Sequence, residues 1–329
     1  MTKEIMKNIF LIEVPLPNNP LKSLNCYLIK GEDRNLLIDT GFRRDECRQA
    51  LLKGLSELDS DPSRRDVLLT HMHTDHSGLA EELVGENRTV YMSGADIERL
   101  KDLTSNKEES TLRHRLLEEG FPRKELDESY AANSAQTMSP QRARYNFHNF
   151  CPLAHGDELQ IGDYRLKTLL VPGHTPGNAM FWMEREQVMF TGDHVLFDVT
   201  PNIIAWPYVD DSLCNYLDNL RLTREYPVKL ALPAHRKPGD YHARIDELLR
   251  HHEERIQEAL KTIQNESMLD AYEIAGRMTW KIRADSWQTF PVMQKWFAVG
   301  ECLSHLDYLR KRGMVRREKS GEHWRYIAL

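Results

Sequence analysis

The sequence predicts an α/β protein of stacked sheets with helices outside, followed by a small helical unit that closes in a β-hairpin. Three observations predict it. Short β-rich runs open the chain, apolar strands then alternate with helical spacings, and a long charged helix precedes a helix–helix–hairpin ending. With 329 residues the chain is large for one domain and suits a large domain plus a small one.

The elements follow in order. NIFLIEVPLP, LNCYLIKG and NLLIDTG read as strands leading into Gly41. Residues 44–58 carry Leu and Ala at helical spacing, RDVLLT is a buried strand, SGLAEELV a helix, TVYMSG a strand and ADIERLKDL a helix. Residues 101–150 break the alternation. They are polar, contain helical pieces such as STLRHRLLEEG, and are expected to form an insertion that acts as a lid or substrate wall. Strand signals resume with DELQIG, YRLKTLLVPGH, AMFWM, QVMFTGD and KLALPAH.

These boundaries give a first domain over 1–240 and a connector helix over 241–265. A winged-helix-like module over 266–329 follows, made of LDAYEIAGRM, VGECLSHLDYLRKRGMV and a hairpin around Lys-Ser-Gly-Glu.

Composition narrows the function classes. Hydrophobic residues make up 40% and charged residues 29%, as in ordinary globular proteins, and the net charge is −6. The charge is uneven: 281–329 holds ten Lys and Arg against five Asp and Glu, +5, which leaves −11 for the rest. A basic tail is a weak pointer to an anionic partner, and a solvated face is the blander account. Five scattered cysteines, no leader-like N-terminus and no apolar run of membrane-spanning length predict a cytoplasmic protein without disulfides.

The chemistry concentrates in THMHTDHSG, which places His71, His73, Asp75 and His76 within six residues directly after an apolar strand. Imidazole nitrogens and carboxylate oxygens are ligands that zinc accepts, and a strand end holds such a loop rigidly. Three weaker elements add to it. PGHTPG puts His174, TGDH puts Asp193 and LPAH puts His235 at the ends of further predicted strands. A single histidine in such a turn is usually incidental; four strand-end sites in one chain are not.

In motif type and order this set resembles the metallo-β-lactamase superfamily over about residues 5–240. The resemblance implies a four-layer αβ/βα sandwich with metals at one edge of its sheets. It also implies one metal on His71, His73 and His174, a second on Asp75, His76 and His235, and Asp193 bridging them. Asp39 of LLIDTG would support the site without binding metal. The metals would be two divalent ions, zinc by default, with iron or manganese also compatible. His73 stands where oxygen-reducing diiron relatives carry Glu, so hydrolysis is implied over redox chemistry.

Two such metals activate a shared water, so no serine or cysteine nucleophile is needed, and no G-x-S-x-G elbow is present. Asp75 and His194 are the candidate catalytic residues, His194 as donor of the leaving-group proton or else a packed neighbour of Asp193. Asn178 and Arg236 are weaker candidates for substrate contact.

The motifs look most like the glyoxalase II-like thioesterase side of the family, so a thioester or related small acyl compound is the expected substrate. The runner-up is an endoribonuclease acting on single-stranded RNA, with the +5 tail on phosphates and Trp280, Trp287, Trp296 and Trp324 stacking bases. A DNA-binding regulator ranks third, because its recognition helix would open on VGECLSH and present Glu301 to phosphates. A homodimer formed through the C-terminal module is a further expectation.

Overall fold

The computed structural model describes residues 2–104, 107–132, 145–281 and 284–329. Two mixed sheets stack face to face. The first has seven strands in sequence order: β1 (Thr2–Met6), β2 (Ile9–Pro15), β3 (Ser23–Lys30), β4 (Asn35–Ile38), β5 (Arg65–Leu68), β6 (Val90–Ser93) and β7 (Phe150–Leu153). It is antiparallel from β1 to β4 and parallel from β4 to β7. The second contains β8 (Glu158–Ile161), β9 (Tyr164–Leu170), β10 (Ala179–Met183), β11 (Val188–Gly192) and β12 (Leu230–Pro233), in the order β12-β11-β10-β9-β8. Only its β11–β12 pair is parallel.

Strand periodicity explains the layering. Leu24, Cys26 and Leu28 of β3 face the helices outside the first sheet, while Tyr27 and Ile29 face the second sheet. In β10 the pattern is mirrored, with Ala179, Phe181 and Met183 toward the first sheet and Met180 and Trp182 outward. Both faces are therefore covered, which is why these strands read as nearly continuous apolar runs. Three buried clusters follow from four layers: one between the sheets and one under each outer helical layer.

The helix Tyr241–Asn265 lies in the outer layer of the second sheet, burying Ile245, Leu248, Ile256, Ala259 and Ile263. The C-terminal elements are helices Ala271–Arg277 and Val292–Lys311 and the hairpin of β13 (Val315–Ser320) and β14 (His323–Ala328). Val299, Leu303, Leu306 and Tyr326 from these elements share one apolar cluster with Met180, Trp182 and Met189 of the second sheet.

Part of the predicted insertion enters that cluster too. Helices Lys107–Glu118 and Arg123–Ala132 contribute Leu116 and Leu126, and Phe121 lies between them. Residues 133–144 of the insertion lie outside the described residues.

Several elements fall outside the sequence expectation, among them β7, which follows directly on the predicted insertion. Strand β1 carries the adjacent exposed charges Lys3 and Glu4 and a register shift between Glu4 and Met6, so it shows no alternation to read. Helix Ser212–Arg224 buries Leu213, Tyr216, Leu217 and Leu220, an i, i+4, i+7 stripe that was available in the sequence. Among the described residues no helix is long and apolar enough to cross a membrane.

Candidate metal centre

Four strand ends converge on one edge of the sandwich. β5 runs into His71, β9 into His174, β11 into Asp193 and β12 into His235. The sheets are tied together there: Ala179 N donates to Thr70 O over 2.9 Å, and Asn25 N to Ala234 O over 2.7 Å. The PGHTPG turn needs its glycines. A Cβ on Gly173, at φ +150, would lie 2.5 Å from Tyr216 Cβ, and one on Gly177 would lie 2.6 Å from Asp96 N.

The seven expected ligands come together. His71, His73 and His174 form one group, Asp75, His76 and His235 a second, and His71, His76 and Asp193 join them, each group's donor atoms lying within 4.8 Å of one another. Asp193 faces both halves: its Oδ2 lies 3.7 Å from His174 Nε2, and its Oδ1 lies 3.7 Å from His76 Nε2 and 3.5 Å from His235 Nε2. Asp75 Oδ2 is 3.5 Å from His235 Nε2.

The far ring nitrogens set the orientations. His76 Nδ1 donates to Asp39 Oδ2 over 2.8 Å, His235 Nδ1 to Ser23 O over 2.8 Å and His174 Nδ1 to Asn202 O over 3.0 Å. In each case Nε2 is left as a lone-pair donor aimed inward. Asp39 also accepts from Thr70 N and Thr70 Oγ1, which is the supporting place the resemblance implies for it. It holds a left-handed backbone at φ 58, and Arg236, next to His235, one at φ 65; such strain gathers at functional sites.

The donors fit cations. His76 Nε2, His235 Nε2 and Asp193 Oδ1 are buried with no hydrogen-bond partner, which a folded protein tolerates only where something else satisfies them. Burial and neighbouring imidazoles hold His71 well below its ordinary pKa and drive His73 to about 3, so both are neutral ligands. Against the penalty of burial, the carboxylates of Asp39, Asp75 and Asp193 raise His76, and Asp193 and Asp75 raise His235. The carboxylates of Asp75 and Asp193 are held ionised by the facing imidazoles, Asp75 at about 2 despite its burial. Positive charge is thus demanded at the centre, and the set of nitrogen and carboxylate donors suits two divalent ions.

The remaining candidates are enclosed or bonded elsewhere. His194 is fully buried, edge-on to Tyr216 at 5.1 Å, and burial drives its pKa to about 3, so it carries no acidic proton at neutral pH. Asn178 is also fully buried. Arg236 is half-buried and donates to Pro20 O over 2.6 Å. Two residues that sequence reasoning missed lie against the ligand loops. Asp96 accepts from Met72 N, Thr175 Oγ1 and Gly177 N, and Trp206 donates through Nε1 to His174 O with its ring 6.0 Å from that of His73. No sequence signal separates Asp96 from a surface acid at the start of a helix.

Fold and site together define a metallohydrolase built on a stacked αβ/βα sandwich. The chain belongs to the metallo-β-lactamase superfamily, whose family model matches residues 20–235. It is similar to the crystal structure of a metallo-β-lactamase family protein from Thermus thermophilus, with TM-score 0.81 and 29% identity over 99% of this chain and 100% of that one. It shares the fold of a β-lactamase domain protein from Burkholderia ambifaria, with TM-score 0.79 and 23% identity over 100% of this chain and 95% of that one. Among curated proteins, the lactamase-like protein nscB of Aspergillus fumigatus is 23% identical over 90% of this chain and 84% of its own length. The atrochrysone carboxyl ACP thioesterase nsrC of Aspergillus novofumigatus is 25% identical over 65% of this chain and 49% of its own length.

Proposed function

We propose that the protein hydrolyses a thioester or related small acyl compound at a centre of two divalent ions, zinc by default. The observation that carries this reading is the posture of Asp193, one oxygen toward each half of the centre. When bound, two such ions lower the pKa of a water they share and polarise the acyl carbonyl. The chain's own residues do the rest. His71, His73 and His174 would hold one ion and Asp75, His76 and His235 the other, Asp193 would fix their separation, and the ionised Asp75 would accept a hydrogen bond from the attacking water. Trp206, beside His73, supplies an apolar edge for an acyl chain. The thioesterase named among the relatives supports the substrate class. Five free thiols suit the reducing cytoplasm expected from the sequence.

The RNA reading draws less support. Much of the basic tail is already neutralised: Arg317 pairs with Glu119 at 2.6 Å, Arg312 with Asp211 at 2.9 Å, Lys295 with Glu125 at 2.9 Å and Lys311 with Asp210 at 3.2 Å. All four candidate stacking tryptophans are partly buried, Trp287 against Tyr272 and Phe290 and Trp324 beneath Arg317. For the regulator reading, the candidate recognition helix buries Val299, Cys302, Leu303, Leu306 and Leu309, which leaves little of it to enter a groove. We read residues 266–329, expected from the sequence to be a winged-helix-like module, as a wall and a dimer contact.

The test is thiol release from a short acyl thioester by zinc-loaded protein, followed with a thiol-reactive dye. Release is expected, and its loss in His73→Ala. Absence of release together with salt-sensitive shortening of single-stranded RNA would overturn the proposal in favour of the nuclease.

A further inference from the structure

Segment 202–206 lies between the C-terminal helix Val292–Lys311 and the metal centre, and bonds to both. The helix grips it at three points. Asn202 Nδ2 donates to Glu301 Oε2 over 3.2 Å, Ser304 Oγ donates to Ile203 O over 2.6 Å, and Ala205 N donates to Gly300 O over 3.2 Å. The approach is close: a Cβ on Gly300 would come within 2.9 Å of Ile204 Cγ2. The segment in turn grips His174 at two points, through Asn202 O on the ring and Trp206 Nε1 on the backbone carbonyl, at 3.0 and 2.9 Å.

Glu301 is itself anchored. Its carboxylate is 13% exposed and lies 3.7 Å from Arg255, whose guanidinium stacks 4.2 Å over Trp280 and donates to Thr279 O. The other half of the centre is braced elsewhere, His76 by Asp39 and His235 by Ser23 O, both far from this helix in sequence.

We propose that Glu301 is a positioning residue for His174, and that the C-terminal helix, through segment 202–206, sets only the His71/His73/His174 half of the centre. The inference rests on the metal-centre reading above. A histidine ligand depends on the partner of its second nitrogen for ring orientation, and loss of such partners costs about 10–100-fold in metal affinity. Truncating Glu301 removes the acceptor of Asn202, while Arg255 keeps Glu258 and Thr279 O as partners, so the carbonyl that orients His174 loses its anchor. The Asp75/His76/His235 half keeps its own braces.

Zinc-loaded wild type, Glu301→Ala, Glu301→Gln, Ser304→Ala and the control Phe297→Ala, on the same helix but 38% exposed, would be titrated with a competing chelator. Ions per chain are counted by elemental analysis, and cobalt-substituted samples report coordination by absorption. In Glu301→Ala and Ser304→Ala one ion should be lost about 10–100-fold more readily, with the other unchanged. Glu301→Gln, whose amide oxygen still accepts from Asn202, should restore wild-type retention, and Phe297→Ala should match it. Equal weakening of both ions, or retention of both at wild-type affinity, overturns the proposal. Retention of both alongside a lowered metal-free melting temperature would make Glu301 merely structural and is equally fatal. Should Glu301→Ala not fold, Ser304→Ala carries the same test. Wild type that binds no pair of ions instead sinks the metal-centre reading, and this inference with it.

Discussion

The hydroxyl of Thr175 donates to Asp96 Oδ2 over 2.7 Å, across 79 positions of sequence. The same carboxylate accepts from Met72 N at 2.9 Å and Gly177 N at 2.6 Å, so one fully buried side chain joins the 71–76 loop to the 174 turn. Burial pushes its pKa up to about 6, while the three donors pull the other way. Two ligand loops that share no strand are thereby held in register.

Replacing Asp96 by Ala leaves three buried donors without an acceptor. Each such loss costs about 1–3 kcal/mol, and relaxation of the loops will recover part of the sum. Asp96→Ala should therefore lose about 3 kcal/mol in urea unfolding of the metal-free protein. A loss under about 0.5 kcal/mol, the range of ordinary surface substitutions, would mean that the loops are set by other contacts.

Asp39→Asn should act chiefly on the half of the centre that holds His76, which bonds Asp39 directly, whereas His71 meets Asp39 only through Thr70. The amide keeps the size of the carboxylate but weakens the charged hydrogen bond that orients His76. Affinity for one of the two ions is expected to fall about 10–100-fold, and chelator titration reads it directly. Combined with Glu301→Ala, the two losses should fall on different ions; loss of the same ion in both variants would contradict the division of the centre.

Metal removal should destabilise the fold, since the donors come from both sheets. An ion at a thousand times its dissociation constant stabilises by about 4 kcal/mol, so chelation should lower the melting temperature and added zinc restore it. The carboxylates that raise His76 and His235 also make protons compete with the ions. Zinc affinity should thus weaken as pH falls, with protons released on binding. Calorimetry in buffers of different ionisation enthalpy would detect that release, and its absence would count against neutral His76 and His235 as ligands.

Glu119 is a pH-sensitive group away from the centre. It is fully buried, and burial raises its pKa from 4.5 to about 7 although Arg317, Tyr326 and Arg115 oppose the shift. The folded state therefore binds its proton more tightly than the unfolded chain does. Its contribution to stability is fully present below about pH 4.5 and is lost as pH rises through about 7. Glu119→Gln should flatten this part of the stability profile, measured by denaturant midpoints across that window. An unchanged slope would show that the carboxylate is ionised throughout.

The clustering of possible metal-ligating residues was legible in the sequence because its chemistry is local. His71, His73, Asp75 and His76 sit within one short motif, and His174, Asp193 and His235 each follow an apolar strand whose end the periodicity marks. The layers were legible for a related reason, since strands buried on both faces must be apolar throughout. What only the tertiary structure decided is the environment of charges. The burial of Asp96, the seat of Glu301 beside Asn202, the neutral and enclosed state of His194 and the pairing of the basic tail with Glu119, Asp211 and Glu125 all depend on groups distant in sequence. A charged residue looks the same in a sequence whether water or protein surrounds it, and its solvation is settled only when the elements that cover it are in place.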